Sequence, residues 1–302
     1  MTAAQRGFFS RIIDNPIIRK ELKGRMRGRQ GFIAIAAYLG LMSFFISVFY
    51  LLLAADNGLS GDPGFLQTVG KAIFSAVVLL ELLALAFIGP ALTSGAISSE
   101  RERKTFDLLR ASLLSARSIV FGKLGSAAAF LLLLIFTALP IQSLAFFLGG
   151  VGAAEIVIST LMLVVTALFF CALGLFFSSL SQRTLVSTVL SYAFILVSFV
   201  FFFFFLFFLN ILGVIGSSAY KPLEELMNAA AWLLLSINPF FAAVVSEIIL
   251  IEEQNLFLTA GGYLGSTSFP LPSPWIVYIV FHIALTALLL SLSVYFVARP
   301  DQ

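Results

Sequence analysis

The chain has 302 residues, of which 60% are hydrophobic and 11% are charged, with 18 Lys and Arg against 15 Asp and Glu. A soluble globular domain is about 25% charged and roughly 45–50% apolar, so this composition excludes one. The apolar residues form continuous runs of about 20 residues, the length with which an α-helix crosses a bilayer, whereas membrane β-strands would alternate apolar and polar residues. The sequence therefore predicts an all-α polytopic membrane protein.

The amino-terminal segment, 1–30, is basic and contains eight Lys and Arg residues. Asn15 and Pro16 fit the N-cap and the first position of a helix. After them an apolar residue recurs at every fourth position with basic residues between, in a stretch that contains Arg19, Lys20, Leu22 and Lys23. This pattern predicts an amphipathic helix at the cytoplasmic membrane interface. A solvated basic tail that only sets the topology is the alternative, because two glycines weaken the helix.

Six apolar runs predict six transmembrane helices. They cover residues 32–54, 70–92, 119–148, 155–177, 185–209 and 275–297. The segment 210–274 holds two further apolar stretches, 223–236 and 239–251, and each is too short to span a bilayer alone. We interpret them as short outer-face helices that dip into the membrane and return. The alternative joins 229–251 into a seventh span that is broken at Pro239.

The basic residues concentrate on one side of the predicted spans. With the amino terminus inside, 16 of the 18 Lys and Arg lie on the cytoplasmic side, and only Lys71 and Lys221 lie outside. The positive-inside rule then predicts a multi-pass protein of the cell (inner) membrane with both termini in the cytoplasm. Because topology accounts for the basic charge, we expect the lipid bilayer and not a nucleic acid as its partner.

A polar segment, 97–118, separates the second span from the third. Ser99 and Glu102 fit a capping box, in which each side chain binds a backbone donor of the other residue. An apolar stripe follows at three- and four-residue spacing, formed by Phe106, Leu109 and Leu113. These features predict a short cytoplasmic helix over about 100–113 that docks in a groove of another protein. A merely solvated charged face is the alternative. Ser115 is a candidate N-cap for the third span.

Residues 89–124 resemble the signature of the type-2 ABC exporter permeases, the membrane subunits of ATP-binding-cassette exporters, with the sequence GPALTSGAISSERERKTFDLLRASLLSARSIVFGKL. The matching positions are Ile97, Glu100, Arg101, Glu102, Thr105, Phe106, Asp107, Leu108, Leu109, Gly122 and Lys123. One departure is Lys104, where many relatives have Gly before the Thr. The layout of the whole chain is also similar, from the basic amphipathic start to the short outer helices before the last span.

The resemblance implies that the helix of about 100–113 is a coupling helix that docks on an ABC ATPase subunit. Its implied residues are Glu100, Arg101, Glu102, Thr105, Phe106, Asp107 and Leu109. The amino-terminal helix would be a connecting helix near the same ATPase. Two permease chains, identical or merely similar, and two ATPase chains would form the working unit.

ATP and Mg²⁺ would bind the partner ATPase, so we expect no cofactor, metal or catalytic site in this chain. Its two Gly-Lys pairs, at 70–71 and 122–123, do not fit a P-loop. We therefore expect a non-catalytic exporter subunit that moves an unidentified hydrophobic or amphipathic substrate. A non-transporting membrane scaffold or sensor that docks a cytoplasmic partner through 97–118 is the alternative. A membrane-embedded enzyme has little basis, since the sequence has no HExxH or GxSxG motif.

Three polar residues inside the predicted spans are candidates for a transport path: Glu81, Gln142 and His282. A carboxylate in a bilayer is costly, so Glu81 is expected to face the protein interior, a partner or water. Either it belongs to the path, or it makes a structural hydrogen bond to a neighbouring helix. Gln142 either lines a cavity or satisfies backbone opened by Pro140, and His282 either pairs with Glu81 or packs as a hydrogen-bonded residue. We expect the Phe-rich run 199–208 to face lipid or to pack, with an aromatic substrate surface as the alternative.

Overall fold

The computed structural model describes residues 21, 24, 29–57, 63–106, 114–211, 221–252, 256–259 and 270–299. Its helices are α1 (Arg29–Asn57), α2 (Pro63–Thr93), α3 (Ser98–Glu102), α4 (Ala116–Phe147), α5 (Ala153–Leu180), α6 (Thr184–Ile211), α7 (Lys221–Ser236), α8 (Pro239–Glu252) and α9 (Pro274–Ala298). Two short antiparallel strands, β1 (Leu258–Thr259) and β2 (Leu271–Pro272), pair before α9. Over the described residues the fold is all-α apart from this pair of strands, as predicted.

Six of these helices are long and apolar enough to cross a membrane, namely α1, α2, α4, α5, α6 and α9. This confirms the six-span fold. The helices extend beyond the apolar runs, since α2 begins at Pro63 and α5 continues to Leu180. Hydropathy marks only the part of a helix that meets hydrocarbon, whereas the helical backbone hydrogen bonds continue through the polar turns at each end.

The most buried span is α5, which packs against α2, α4, α6 and α9. In its most apolar 18-residue window 61% of residues are buried, against 6% in α6 and 11% in α1. A Cβ on Gly174 would overlap Thr93 Oγ1 and lie 3.1 Å from the Cα of Pro90, so α2 and α5 meet through small residues. Small residues allow this close approach between membrane helices. In contrast, α1 and α6 leave most of their apolar surface uncovered.

The two ends of the bundle differ in charge. At the basic end, which carries Arg101, Lys123 and Arg183, α2 and α5 end and α4 and α6 begin. The opposite end carries the turn from α4 to α5 and the pair α7 and α8. In that turn Gly149 has a φ of +77°, a left-handed conformation that favours glycine.

The two short helices before the last span form a sharply bent pair, with an angle of 112° between Glu225–Ser236 and Pro239–Leu250. Asn238 Oδ1 accepts hydrogen bonds from the backbone N–H groups of Phe240 (2.9 Å) and Phe241 (3.2 Å), so Asn238 caps α8. A change of direction above 90° sends α8 partly back toward the side from which α7 came. The pair therefore corresponds either to the two predicted dipping helices or, taken together, to the predicted seventh span that is broken at Pro239.

The bent pair is tied to the bundle by polar contacts. Ser75 Oγ in α2 donates a 2.5 Å hydrogen bond to Glu247 Oε1 in α8. In α7 the Trp232 indole N–H donates to the Pro272 carbonyl at 2.9 Å, which connects the pair to β2. Neither contact was predicted from the sequence, because the partners are far apart in the chain.

Candidate functional site

The first half of the polar connection from α2 to α4 is not one continuous helix. It consists of a turn, a short helix and a second turn. We name its described part segment 94–106. After α2 the chain turns through Ser94–Ile97, forms the five-residue helix α3, and turns again at Arg103. Lys104 then adopts a φ of +56°, which ends the helix. The predicted helix over 100–113 is therefore present at 100–102 but interrupted at 103–105, and Asp107 and Leu109 lie outside the described residues.

The predicted capping box of Ser99 and Glu102 is absent. Ile97 occupies the N-cap of α3, and it has no side-chain capping bond. Ser178, near the carboxyl end of α5, takes over this role. Its Oγ accepts from the backbone N–H groups of Ile97 (2.9 Å) and Ser98 (3.0 Å). The hydroxyl has two lone pairs for these two donors, so a residue 80 positions away satisfies the start of α3.

Glu102 points to the start of α6. Its Oε2 accepts hydrogen bonds from the Thr184 backbone N–H (3.2 Å) and from Thr184 Oγ1 (2.5 Å). This carboxylate lies at the amino terminus of α6, where unpaired N–H groups and the helix dipole favour an anion. Glu102 therefore contributes to the capping of α6 and makes no capping bond at the start of α3.

Hydroxyl groups connect segment 94–106 with α6 at two further levels. Ser94 Oγ lies 3.0 Å from Thr188 Oγ1, and Ser98 Oγ lies 3.1 Å from Ser187 Oγ. Ser187 Oγ also donates to the carbonyl of Ser94. Such hydroxyl pairs between membrane helices are each worth about 0.6 kcal/mol on average. Together they hold the turn after α2 against α6.

Arg101 and Phe106 form a stacked pair. Arg101 Nη1 donates to the Ser179 carbonyl at 2.8 Å, and its guanidinium lies 5.0 Å from the centre of the Phe106 ring. Phe106 is 2% exposed and belongs to the main hydrophobic core. Although the sequence pattern places Phe106 on a docking stripe, its ring is buried within this chain.

A buried lysine joins three parts of the chain at the basic end. Lys123 in α4 is 6% exposed, and its Nζ lies 3.1 Å from Glu21 Oε1 and 3.9 Å from Glu100 Oε1. Ser126 Oγ donates to the second oxygen of Glu21 at 2.6 Å, and Thr105 Oγ1 donates to Glu100 Oε2 at 2.5 Å. Lys123 thus pairs inside the protein instead of extending to the membrane surface.

The amino-terminal segment contributes Glu21 to this site. The four residues predicted for its interface helix, Arg19, Lys20, Leu22 and Lys23, lie outside the described residues. Glu21 was not singled out from the sequence, although it is an acid within a strongly basic stretch. That contrast is the signal that could have identified it.

Arg103 and Lys104 lie on the outer surface of segment 94–106, and both are exposed. Glu100 and Arg101 are half-buried between this surface and the spans. The segment therefore has one charged face toward solvent and one hydrogen-bonded face toward α5 and α6.

Inside the bundle, the structure brings Glu81 and Gln142 together. Gln142 Nε2 donates to Glu81 Oε2 at 2.9 Å, and Tyr38 lies beside the same carboxyl. Glu81 is 1% exposed and Gln142 is fully buried. The contact joins α2 to α4, which agrees with the interpretation that Glu81 makes a structural hydrogen bond to a neighbouring helix. The remaining oxygens, Glu81 Oε1 and Gln142 Oε1, have no hydrogen-bond partner among the described residues.

His282 belongs to a different cluster, so the pairing of His282 with Glu81 is not found. His282 Nδ1 lies 3.0 Å from the Tyr278 carbonyl in its own helix, and its ring meets the Phe169 ring edge-on at 4.7 Å. It lines a cavity of about 280 Å³ between α5, α6, α9 and the bend of α7 and α8. Neither Glu81 nor Gln142 lines this cavity.

A family model described as "ABC-2 family transporter protein" matches residues 15–299, nearly the whole chain. No curated protein matches the chain. The matched range contains the six long helices, segment 94–106 and the residues that hold it in place.

Proposed function

The chain belongs to the ABC-2 transporter family, and from this premise we propose that segment 94–106 passes the movement of an ATPase to the membrane spans. The chain is a multi-pass membrane permease subunit of an ABC transporter, and a permease of this family works with an ABC ATPase subunit. ATP and Mg²⁺ bind in the ATPase. The substrate is hydrophobic or amphipathic, and transport is outward.

The observation that carries this proposal is the attachment of one short segment to two spans. Ser178 in α5 holds the start of α3, and Thr184 in α6 binds Glu102 at its end. Because α3 is fixed at both ends, a push on its solvent face displaces α5 and α6 together. A loop that was merely solvated would absorb the same push by bending.

Lys123 extends the same connection to the amino-terminal segment through Glu21 and to α4 through its own helix. The side chains of Lys123 and Glu21 are only 7% and 25% exposed, so solvent and salt screen their attraction less than that of a surface ion pair. In this proposal Glu21 holds the amino-terminal segment beside the ATPase contact, so both cytoplasmic elements move as one unit.

The chain spans the cell (inner) membrane. Its basic end faces the cytoplasm, in accordance with the positive-inside rule. The second permease copy, identical or similar, covers part of the apolar surface that α1 leaves exposed. The rest of that surface meets lipid.

Two faces of segment 94–106 predict two kinds of variant. Arg103→Glu changes the solvent face, so it should reduce co-purification of the ABC ATPase. Thr184→Val changes the face toward α6, so it should leave co-purification intact and weaken coupling. Coupling is measured as the change in hydrogen exchange of α5 and α6 when the complex in proteoliposomes binds a non-hydrolysable ATP analogue.

Thr160→Val is the matched control for Thr184→Val. Thr160 lies in α5 away from this end, and its hydroxyl donates only within its own helix, to the Ile156 carbonyl at 2.7 Å. The ATP-dependent change should persist in Thr160→Val and shrink in Thr184→Val. The coupling role is wrong if both variants respond like the unaltered chain. A scaffold without transport activity would bind the ATPase but show no ATP-dependent change in any variant.

A further inference from the structure

The cavity that His282 lines is an apolar recess between the spans. Its volume is about 280 Å³, and it lies between α5, α6 and α9, closed on one side by the bend at Asn238. Phe169 and Phe202 form parts of its wall, and Leu285 of α9 contributes from the opposite side. The cavity lies within a single chain and away from segment 94–106.

The chemistry of the wall excludes a charged ligand. Among the described residues that line the cavity, none is Asp, Glu, Lys or Arg, and phenylalanine is the commonest. An ion without a counter-charge is strongly disfavoured in such surroundings. Ser198, Asn238 and His282 are the polar residues of the wall. The site therefore suits a ligand that is mostly hydrocarbon.

Two of these polar residues each use one side-chain polar atom in hydrogen bonds inside the chain. Asn238 Oδ1 accepts from two backbone N–H groups at the start of α8, and His282 Nδ1 bonds to the Tyr278 carbonyl. The His282 ring packs against Phe169 and Tyr278, with ring centres at 4.7 and 4.0 Å. His282 therefore acts in the wall as a packed ring.

The rim of the cavity is exposed on helices that cross the membrane. Phe194 and Phe201 of α6 are 44% and 64% exposed, and Phe281 of α9 is 39% exposed. The medium that meets the exposed surface of a membrane span is the hydrocarbon of the bilayer. A lipid chain can therefore enter between α6 and α9 without crossing water.

We propose that this cavity binds the acyl chain of a bilayer phospholipid, which enters laterally between α6 and α9. The aromatic wall would contact the chain along its length, and the headgroup would remain outside the cavity. The site is inferred from the fold of this chain alone, so its test needs neither ATP nor an ATPase.

The test uses the full chain in phosphatidylcholine vesicles in which a fraction of the lipid carries a diazirine in one acyl chain. After irradiation, peptide mapping locates the adducts. We expect adducts at the cavity residues Phe202 and His282 above the level at Val197, a 66% exposed residue of α6 that does not line the cavity. Leu285→Trp fills the cavity, and it should lower the cavity adducts about tenfold, equivalent to about 1.4 kcal/mol of binding.

Leu288→Trp is the matched control, since Leu288 lies on the same helix, is 55% exposed and does not line the cavity. In Leu288→Trp the level of adducts at the cavity residues should equal that in the unaltered chain. His282→Phe should also keep them, because a hydrocarbon chain needs no hydrogen bond. The proposal is overturned if cavity adducts do not exceed those at Val197, if Leu285→Trp leaves them unchanged, or if His282→Phe abolishes them while the protein stays folded, since that loss would indicate a polar ligand.

Discussion

Ser178→Ala tests directly whether segment 94–106 is fixed to α5. The substitution removes the acceptor of two backbone donors, at Ile97 and Ser98, which are 1% and 0% exposed. Each buried donor without a partner costs about 1–3 kcal/mol. Both donors share one acceptor and relax together, so their costs do not simply add. We expect the free energy that holds the segment in place to fall by about 2–3 kcal/mol in total.

The expected loss should appear locally before it appears globally. Hydrogen exchange in the peptide that contains Ile97 and Ser98 should accelerate by about 30–150-fold, the factor that corresponds to about 2–3 kcal/mol. The protein is measured in detergent micelles, and thermal unfolding of the same samples reports global stability. Exchange in α9, to which Ser178 makes no hydrogen bond, should stay unchanged.

Ser179→Ala is the control, because it removes a hydroxyl of the same size from the next residue. The Ser179 hydroxyl donates only to Phe176 in its own helix, and its carbonyl remains available to Arg101. Exchange near Ile97 should therefore be unaffected. If Ser178→Ala and Ser179→Ala give the same exchange rates, Ser178 does not hold the segment and the reasoning fails.

Three further predictions follow from the fold. Lys104 has a left-handed backbone conformation that costs a non-glycine residue about 1–2 kcal/mol, and Lys104→Gly removes this cost. The variant should therefore raise the thermal unfolding temperature. A decrease would show that the lysine side chain contributes more stability than the strained backbone costs. Gly174→Ala should destabilise by about 1–3 kcal/mol because its Cβ overlaps the facing helix, whereas Gly40→Ala, with nothing within 4 Å, should not; equal unfolding curves would contradict the close packing. Lys123→Met and Glu21→Gln should show a coupling energy of about 1–3 kcal/mol in a double-mutant cycle, and a value near zero would mean that their ion pair does not hold the amino-terminal segment.

The spans could be predicted because each depends on a property of consecutive residues. A run of apolar residues long enough to cross a bilayer has few alternatives to a helix, since every backbone polar group must be satisfied within the segment. The same local logic identified the N-cap at Ser115, whose Oγ accepts from the Ser118 N–H at 3.2 Å. The bend at Asn238-Pro239 was also predictable from its residue types.

The details of segment 94–106 could not be predicted, because tertiary partners replaced local ones. Ser99 and Glu102 have the spacing of a capping box, but Glu102 binds Thr184 and Ser178 caps α3. Nothing distinguishes Ser178 in the sequence from other serines at helix ends. Similarly, the three-residue spacing of Phe106 is correct for an outer stripe, but the turn at Lys104 redirects the ring into the core.

The central claim is that segment 94–106 carries the contact with the ATPase. Its most direct measurement places a photoreactive amino acid at Arg103 or at Lys104 and identifies the protein captured in membranes that contain the transporter. Gln67, exposed at the opposite end of the bundle, is the control position. We predict that both positions in the segment capture the ABC ATPase subunit and that Gln67 does not. Capture of the ATPase from Gln67, or from neither Arg103 nor Lys104 while the two proteins co-purify, would contradict the account.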